Sequence, residues 1–192
     1  MSDFELSELV RGALRLQGQW FNQGLEFCFI GGMAVQVWGE SRLTQDVDVT
    51  IASQFGDERR LSSVLLENLS PRIEDAISFA TINRVLLAQD QQGVSIDISL
   101  AAMPFELSII QRATYESIFD LEPLRVCTAS DLIVLKAFAN RPRDWEDIRG
   151  VLIRSQKFVS TSAILEELTP LVDLKKEPEI LSRLNELFDE HL

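Results

Sequence analysis

The sequence predicts an α+β protein, close to α/β in character: a first helix, then a core of mixed strands and helices, followed by a helical C-terminal part. Three observations predict it. The first 20 or so residues carry apolar side chains at helical spacing, and the stretch from Leu25 to Leu100 alternates short strand-like and helix-like runs. After Pro104 the pattern becomes mostly helical. At 192 residues the chain is long enough to bury one sizeable core. The expected organisation is one domain over 1–157, with a first helix at 4–23, a sheet core at about 25–100 and helices within 130–157. A helical extension over 158–192 is expected to pack on the same domain.

Leu6, Leu9, Val10, Ala13, Leu14, Trp20 and Phe21 define the first amphipathic helix, which stops near Gly24. Leu25 to Ile30 reads as a buried strand closed by Gly31-Gly32, and Met33 to Trp38 as a short helix stopped by Gly39. Asp46 to Ile51 alternates acid and apolar residues, the period of a half-exposed strand. Leu61 to Leu69 reads as a helix ended by Ser70-Pro71. Two strands, Arg84 to Ala88 and Val94 to Leu100, flank the hairpin turn Asp90-Gln91-Gln92-Gly93. Leu132 to Phe138 is apolar on nearly every side, hence a buried helix, and Arg141-Pro142 breaks it. A further helix begins near Asp144, and Ile180, Leu181, Leu184, Leu187 and Phe188 form one face of a last one.

Composition narrows the function classes. The longest apolar stretch, Phe27 to Trp38, has 12 residues and is too short to span a bilayer, and the N-terminal residues show no secretory pattern, so a cytoplasmic setting is expected. Cys28 and Cys127 lie in apolar segments without metal-ligand spacing and read as reduced core residues. His191 is the single histidine and stands next to the end, which excludes a histidine-based dyad or zinc site. Chemistry must then rest on carboxylates, Lys and Arg. The net charge of −12 argues against general DNA binding, which needs a positive surface. Residues 125–157, however, hold seven basic and four acidic residues, a local +3 beside a body of −15. That asymmetry suits a small anionic ligand or one end of an RNA.

Asp46 and Asp48, two apart on a strand, point to one face with Cα atoms roughly 6–7 Å apart. Carboxylates so placed repel each other unless a cation sits between them, and Mg²⁺ takes such oxygens together with substrate phosphates. A solvated strand face is the plain alternative. Asp97, between Ile96 and Ile98, is a third acid centred in a strand. If the two strands are neighbours, three carboxylates can share two metal ions, the arrangement that stabilises attacking and leaving oxygens in phosphoryl transfer. Gly31-Gly32 stands at a strand-to-helix junction, where backbone N–H groups attract phosphate. Lys136 is the one charge in an apolar helix, and it either snorkels to solvent or neutralises a triphosphate. Asp144 and Asp147 have an economical reading as acids at a helix N-terminus, with an Asp144–Lys136 or Asp144–Arg143 pair as the alternative. Arg141 and Arg143 suit nucleotide phosphates, an RNA acceptor or plain solvation. Trp20, Trp38 and Trp145 read as core.

The run Phe29-Ile30-Gly31-Gly32-Met33-Ala34, followed by Arg42-Leu43-Thr44-Gln45-Asp46-Val47-Asp48, resembles the signature of the polymerase-beta-like nucleotidyltransferase superfamily. It is most similar to the minimal bacterial branch that includes AbiEii-type toxins, and Ser130-Asp131-Leu132-Ile133, Lys136 and Arg141 to Ile148 extend the resemblance. The resemblance covers about residues 25–152. It implies a small mixed β-sheet with flanking helices, Asp46, Asp48 and Asp97 as catalytic metal ligands for Mg²⁺ or Mn²⁺, and phosphate contacts from Gly31, Gly32, Arg42, Thr44, Lys136 and Arg143. A Ser or Thr often follows the two glycines in that superfamily; Met33 stands there in this chain. The implied activity is transfer of a nucleoside monophosphate from an NTP to a hydroxyl of a tRNA or other RNA 3′ end, a protein or a small molecule. A role as the toxin of a toxin–antitoxin pair, with a cognate antitoxin partner, follows from the same resemblance. The reading from a different class is a catalytically degenerate binding module of the same fold. A kinase-like phosphotransferase is weaker, because no lysine lies near the glycine loop and no Walker-type spacing is present.

Overall fold

The structure, a computed structural model, describes residues 3–118 and 121–192. Helix α1 (Asp3–Asn22) is followed by β1 (Phe27–Phe29), α2 (Gly31–Trp38), β2 (Asp46–Ala52) and α3 (Glu58–Leu65). Then come β3 (Ser70–Pro71), α4 (Ala76–Asn83), β4 (Val85–Gln89), β5 (Ser95–Ala101) and α5 (Pro104–Arg112). Short strands β6 (Thr114–Glu116) and β7 (Leu124–Val126) lead to α6 (Ala129–Ala139), α7 (Pro142–Ser155), α8 (Thr161–Lys175) and α9 (Glu179–His191). The strands form one mixed sheet in the order β3-β4-β5-β2-β1-β7-β6. β2 runs parallel to β5 and β1 parallel to β7; the other neighbours are antiparallel.

The centre of the sheet follows from period-2 patterning. Val47, Val49 and Ile51 on β2 and Ile96, Ile98 and Leu100 on β5 are all buried, which sends the intervening residues to the other face. The pairing sets Val47 beside Ile96 and Val49 beside Ile98, and therefore Asp48 directly beside Asp97. β4 joins β5 through the Asp90–Gly93 turn, where Gly93 has φ +82° and the Asp90 carboxylate accepts the N–H groups of Gln92 and Val94 at 2.9 Å each.

Helix α1 buries Leu9, Val10, Ala13, Leu16 and Trp20, and the Trp20 ring lies against Phe27 at 5.4 Å and Phe29 at 6.5 Å between centroids. α2 is buried on most of its surface between the sheet and the helices α6 and α7. Cys28 and Cys127 are free and buried, and the Cys127 carbonyl accepts the Trp38 indole N–H at 2.8 Å. Burial pushes the Cys28 thiol up to about 12, so it is an inert packing group at neutral pH. The C-terminal helices form a layer in which α6 packs on α7 and α8, and α9 on α7 and α8.

Three local expectations are corrected. The stretch after Pro104 contains β6 and β7, because three-residue strands are too short to display an alternation. Ser70-Pro71 is not merely a helix stop: α3 ends at Leu65 and Ser70-Pro71 forms the edge strand β3, where a proline costs no inner ladder bond. α7 starts at Pro142 rather than near Asp144, since proline at the first helical position fits the helix φ and needs no donor.

Ile98 is wholly buried at the middle of β5. Ile98→Ala is expected to lower the unfolding free energy by about 3 kcal/mol in urea titration, through lost apolar contact plus the cavity left behind.

Candidate functional site

The glycine turn between β1 and α2 and the exposed face of β2 and β5 meet in one cavity of about 590 Å³. Gly31, Gly32, Arg42, Thr44, Asp46, Asp48, Asp97, Lys136 and Arg143 all line it, joined by Arg141 and Asp144. The structure thus brings together every residue that the sequence nominated. It also divides them into three sets.

The first set is the glycine turn. Gly31 has φ +49°, and a Cβ built on it would stand 2.2 Å from Asp48 Oδ2. A Cβ on Gly32 would stand 2.2 Å from Thr44 Oγ1. Neither position tolerates a side chain, because the carboxylate and the hydroxyl lie against the bare backbone. The Gly32 N–H donates to Asp48 Oδ2 at 2.9 Å, and the Thr44 hydroxyl donates to the Asp46 carbonyl at 3.2 Å. Met33 is buried in the core side of α2, so the residue after the glycines does not face the cavity.

The acids form the second set. Burial, with the charges of Asp97 and Asp46, raises Asp48 above the usual carboxylate range against the opposing Gly32 N–H and Lys136. Burial likewise raises Asp97, with Arg72 opposing and Asp46 adding to the rise. Arg72 is the residue that sequence reasoning missed. Its guanidinium donates to Asp46 Oδ1 at 3.2 Å and also to Asp97 Oδ1, bridging two of the three acids. The register explains its reach. Arg72 follows β3 and donates its N–H to the Leu87 carbonyl; Leu87 pairs with Asp97, and Asp97 with Asp48. These residues form one row across the sheet.

The third set is a buried ion-pair network behind the cavity. Lys136 Nζ lies 3.1 Å from Asp144 and 2.6 Å from Asp147, and all three side chains are nearly inaccessible. Lys136 therefore does not snorkel. Arg42 grips Asp147 with two hydrogen bonds of 2.6 and 2.8 Å, and Arg141 Nε donates to Asp144 at 2.7 Å. Burial alone would raise Asp144 and Asp147, yet the hydrogen bonds and charges of Arg141, Arg42 and Lys136 hold both below the usual carboxylate range. Asp144 also accepts the Arg141 backbone N–H at 3.3 Å, so it caps the helix and pairs with Lys136 at once. Arg143 does not pair with Asp144; it donates to the Leu43 carbonyl at 3.1 Å from an exposed position.

No family model matches the chain, and no curated protein sequence does. Solved structures do. A crystal structure of an antigenic nucleotidyltransferase-like protein from Paracoccidioides brasiliensis superposes with a TM-score of 0.52 at 15% identity, over 96% of this chain and 94% of that one. The solution structure of the antibiotic-resistance factor ANT(2'')-Ia superposes with a TM-score of 0.51 at 18% identity, over 99% and 98%. This chain has the nucleotidyltransferase fold. In this nucleotidyltransferase-fold chain, the glycine turn and the acids occupy one end of the central strands.

The donors at that end fit a divalent cation chemically. Carboxylate oxygens are what Mg²⁺ prefers, and one or two of them suffice when substrate phosphates and water complete the octahedron. Among the described residues, no three His, Cys, Asp or Glu side chains are drawn together closely enough to cage an ion by themselves. The fit is therefore to a cation that arrives with its own oxygen ligands.

Two outcomes are expected. Lys136→Met should cost about 3 kcal/mol in chemical denaturation, since it strands two buried acids with one partner each. Asp48 has a folded-state pKa above its unfolded value, so its charge weakens the fold increasingly as pH rises through that window. Calorimetry in EDTA should show Asp48→Asn melting above the parent near neutral pH, with the difference closing by about pH 3, below the unfolded carboxylate value.

Proposed function

We propose that the protein is a metal-dependent nucleotidyltransferase that moves a nucleoside monophosphate from an NTP to a hydroxyl of an acceptor. The observation that carries the reading is the in-register pairing of Asp48 with Asp97, two residues from Asp46 and directly under the Gly31-Gly32 turn. Acids are thereby set beside a backbone able to receive phosphate, in a cavity whose opposite wall is cationic.

Asp46, Asp48 and Asp97 would hold Mg²⁺ or Mn²⁺, which supplies charge neutralisation on the phosphates and on the leaving pyrophosphate. The backbone of Gly31 and Gly32 and the Thr44 hydroxyl orient the triphosphate at the start of α2. Arg143, exposed and without a carboxylate partner among the described residues, reaches the phosphate tail with Arg141 beside it. Lys136 and Arg42 contribute positive potential from behind while their partners Asp144 and Asp147 fix their positions. In the chemical step the acceptor oxygen attacks the α-phosphorus and the bond to pyrophosphate breaks. Asp97 accepts the proton from the acceptor hydroxyl.

The acceptor is an RNA 3′ end, a protein or a small molecule. A cytoplasmic setting, where NTPs are available, suits the reaction. The motif resemblance adds the toxin of a toxin–antitoxin pair, with a cognate antitoxin, as a biological role.

Incubating the protein and Mg²⁺ with each of the four labelled NTPs, bulk tRNA, lysate protein and a panel of small polyhydroxyl compounds tests the reading. One acceptor is expected to become labelled, with pyrophosphate released, and Asp48→Asn is expected to lose roughly 10²-fold or more of the rate. No labelled acceptor, together with no NTP–Mg²⁺ combination that raises the melting temperature, would refute the enzyme reading in favour of a non-catalytic module.

A further inference from the structure

Arg72 has no role in the reaction described above, yet it makes the most direct contacts to the acids. It comes from the sheet edge after β3, and its side chain is 23% exposed. One terminal nitrogen lies on Asp46 and the other on Asp97, while its Nε is buried with no hydrogen-bond acceptor among the described residues. A guanidinium fork set for one carboxylate normally uses Nε and a terminal nitrogen together, as Arg42 does on Asp147. Arg72 instead forfeits the Nε bond and spreads its two terminal nitrogens over two acids. Leaving a buried N–H unpaired costs free energy that only the two ion pairs offset. The geometry is that of a cation bridging two carboxylates, the task that a divalent ion performs in such a site.

We propose that Arg72 is an internal competitor for the divalent cation: its guanidinium and the metal take the same oxygens of Asp46 and Asp97 in turn. The inference rests on the reading of these acids as metal ligands. Its consequence is an order of binding. A bare divalent cation must evict a paired arginine and binds weakly. A cation that arrives on a triphosphate brings anionic oxygens that receive the displaced guanidinium, so metal and nucleotide bind cooperatively. Arg72 thus sets when the acids become available, as a positioning residue rather than a catalytic one. Its charge also holds Asp46 and Asp97 together when no metal is bound, against their mutual repulsion.

Mn²⁺ binding to the full-length protein without nucleotide, followed by the loss of the free-ion electron paramagnetic resonance signal, tests this. Arg72→Gln is expected to tighten Mn²⁺ binding about tenfold, equivalent to about 1.4 kcal/mol. Arg72→Lys, which keeps the charge but cannot fork across two acids, is expected to fall between Arg72→Gln and the parent. It also serves as the readout should Arg72→Gln fail to fold. Adding Asp46→Asn to Arg72→Gln must abolish the gain. Unchanged or weaker Mn²⁺ binding in both Arg72 variants, with binding in the parent still abolished by Asp46→Asn, would overturn the inference and leave the metal site standing. A gain that survives Asp46→Asn would overturn it too. Absence of Mn²⁺ binding in every variant would remove the metal-site reading and this inference with it.

Discussion

The parallel register of β2 with β5 is the constraint on which the rest depends. Three apolar side chains on each strand, Val47, Val49 and Ile51 with Ile96, Ile98 and Leu100, are buried on one side of the sheet. A one-residue slip of β2 would turn Val47, Val49 and Ile51 away from the core and drive Asp46 and Asp48 into it; a slip of β5 would do the same with Ile96, Ile98, Leu100 and Asp97. The penalty for burying unpaired carboxylates, added to the loss of apolar burial, fixes the register strongly. The acids are thus placed by the hydrophobic side of the sheet. The polar side inherits a geometry that it does not itself stabilise.

Around this centre, charge is managed in two different ways. Behind the cavity, Lys136, Arg42, Arg141, Asp144 and Asp147 form a closed network in which every acid has more than one donor and the carboxylates are held well ionised. Charge-assisted hydrogen bonds linked in this way reinforce one another. In front, burial pushes Asp48 and Asp97 toward the neutral form, the charges of Asp97 and Asp46 adding to the rise at Asp48 and that of Asp46 at Asp97, with Arg72 bridging Asp46 and Asp97. The rear network gives a fixed positive wall; the front cluster is under-compensated and responds to whatever cation approaches.

Much of this was legible in the sequence, and what was not has a definite cause. β2, β5 and α2 announced themselves because acids alternate with Val and Ile, and because two glycines separate an apolar strand from an apolar helix. The gathering of Asp97 with Asp46 and Asp48 was conditional on strand adjacency, which periodicity does not reveal. Arg72 was invisible because β3 is only two residues long, and its relation to Asp97 passes through the register of two further strand pairs. Lys136 was visible as an odd charge in an apolar helix. One of its partners, Asp144, stands eight positions away and within reach of a local reading, whereas the Arg42–Asp147 pair joins residues 105 apart in the chain and leaves no local signal. β6 and β7, three residues each, offered too few positions to show a period.

The glycine turn has a consequence for how such a chain can diverge. At Gly31 and Gly32 the space for even a methyl group is already taken by atoms of Asp48 and Thr44. Substitution at either glycine demands a compensating retreat on β2 or in the segment before it, so the two places cannot drift independently. Single mutational steps from this arrangement are closed on one side and destructive on the other.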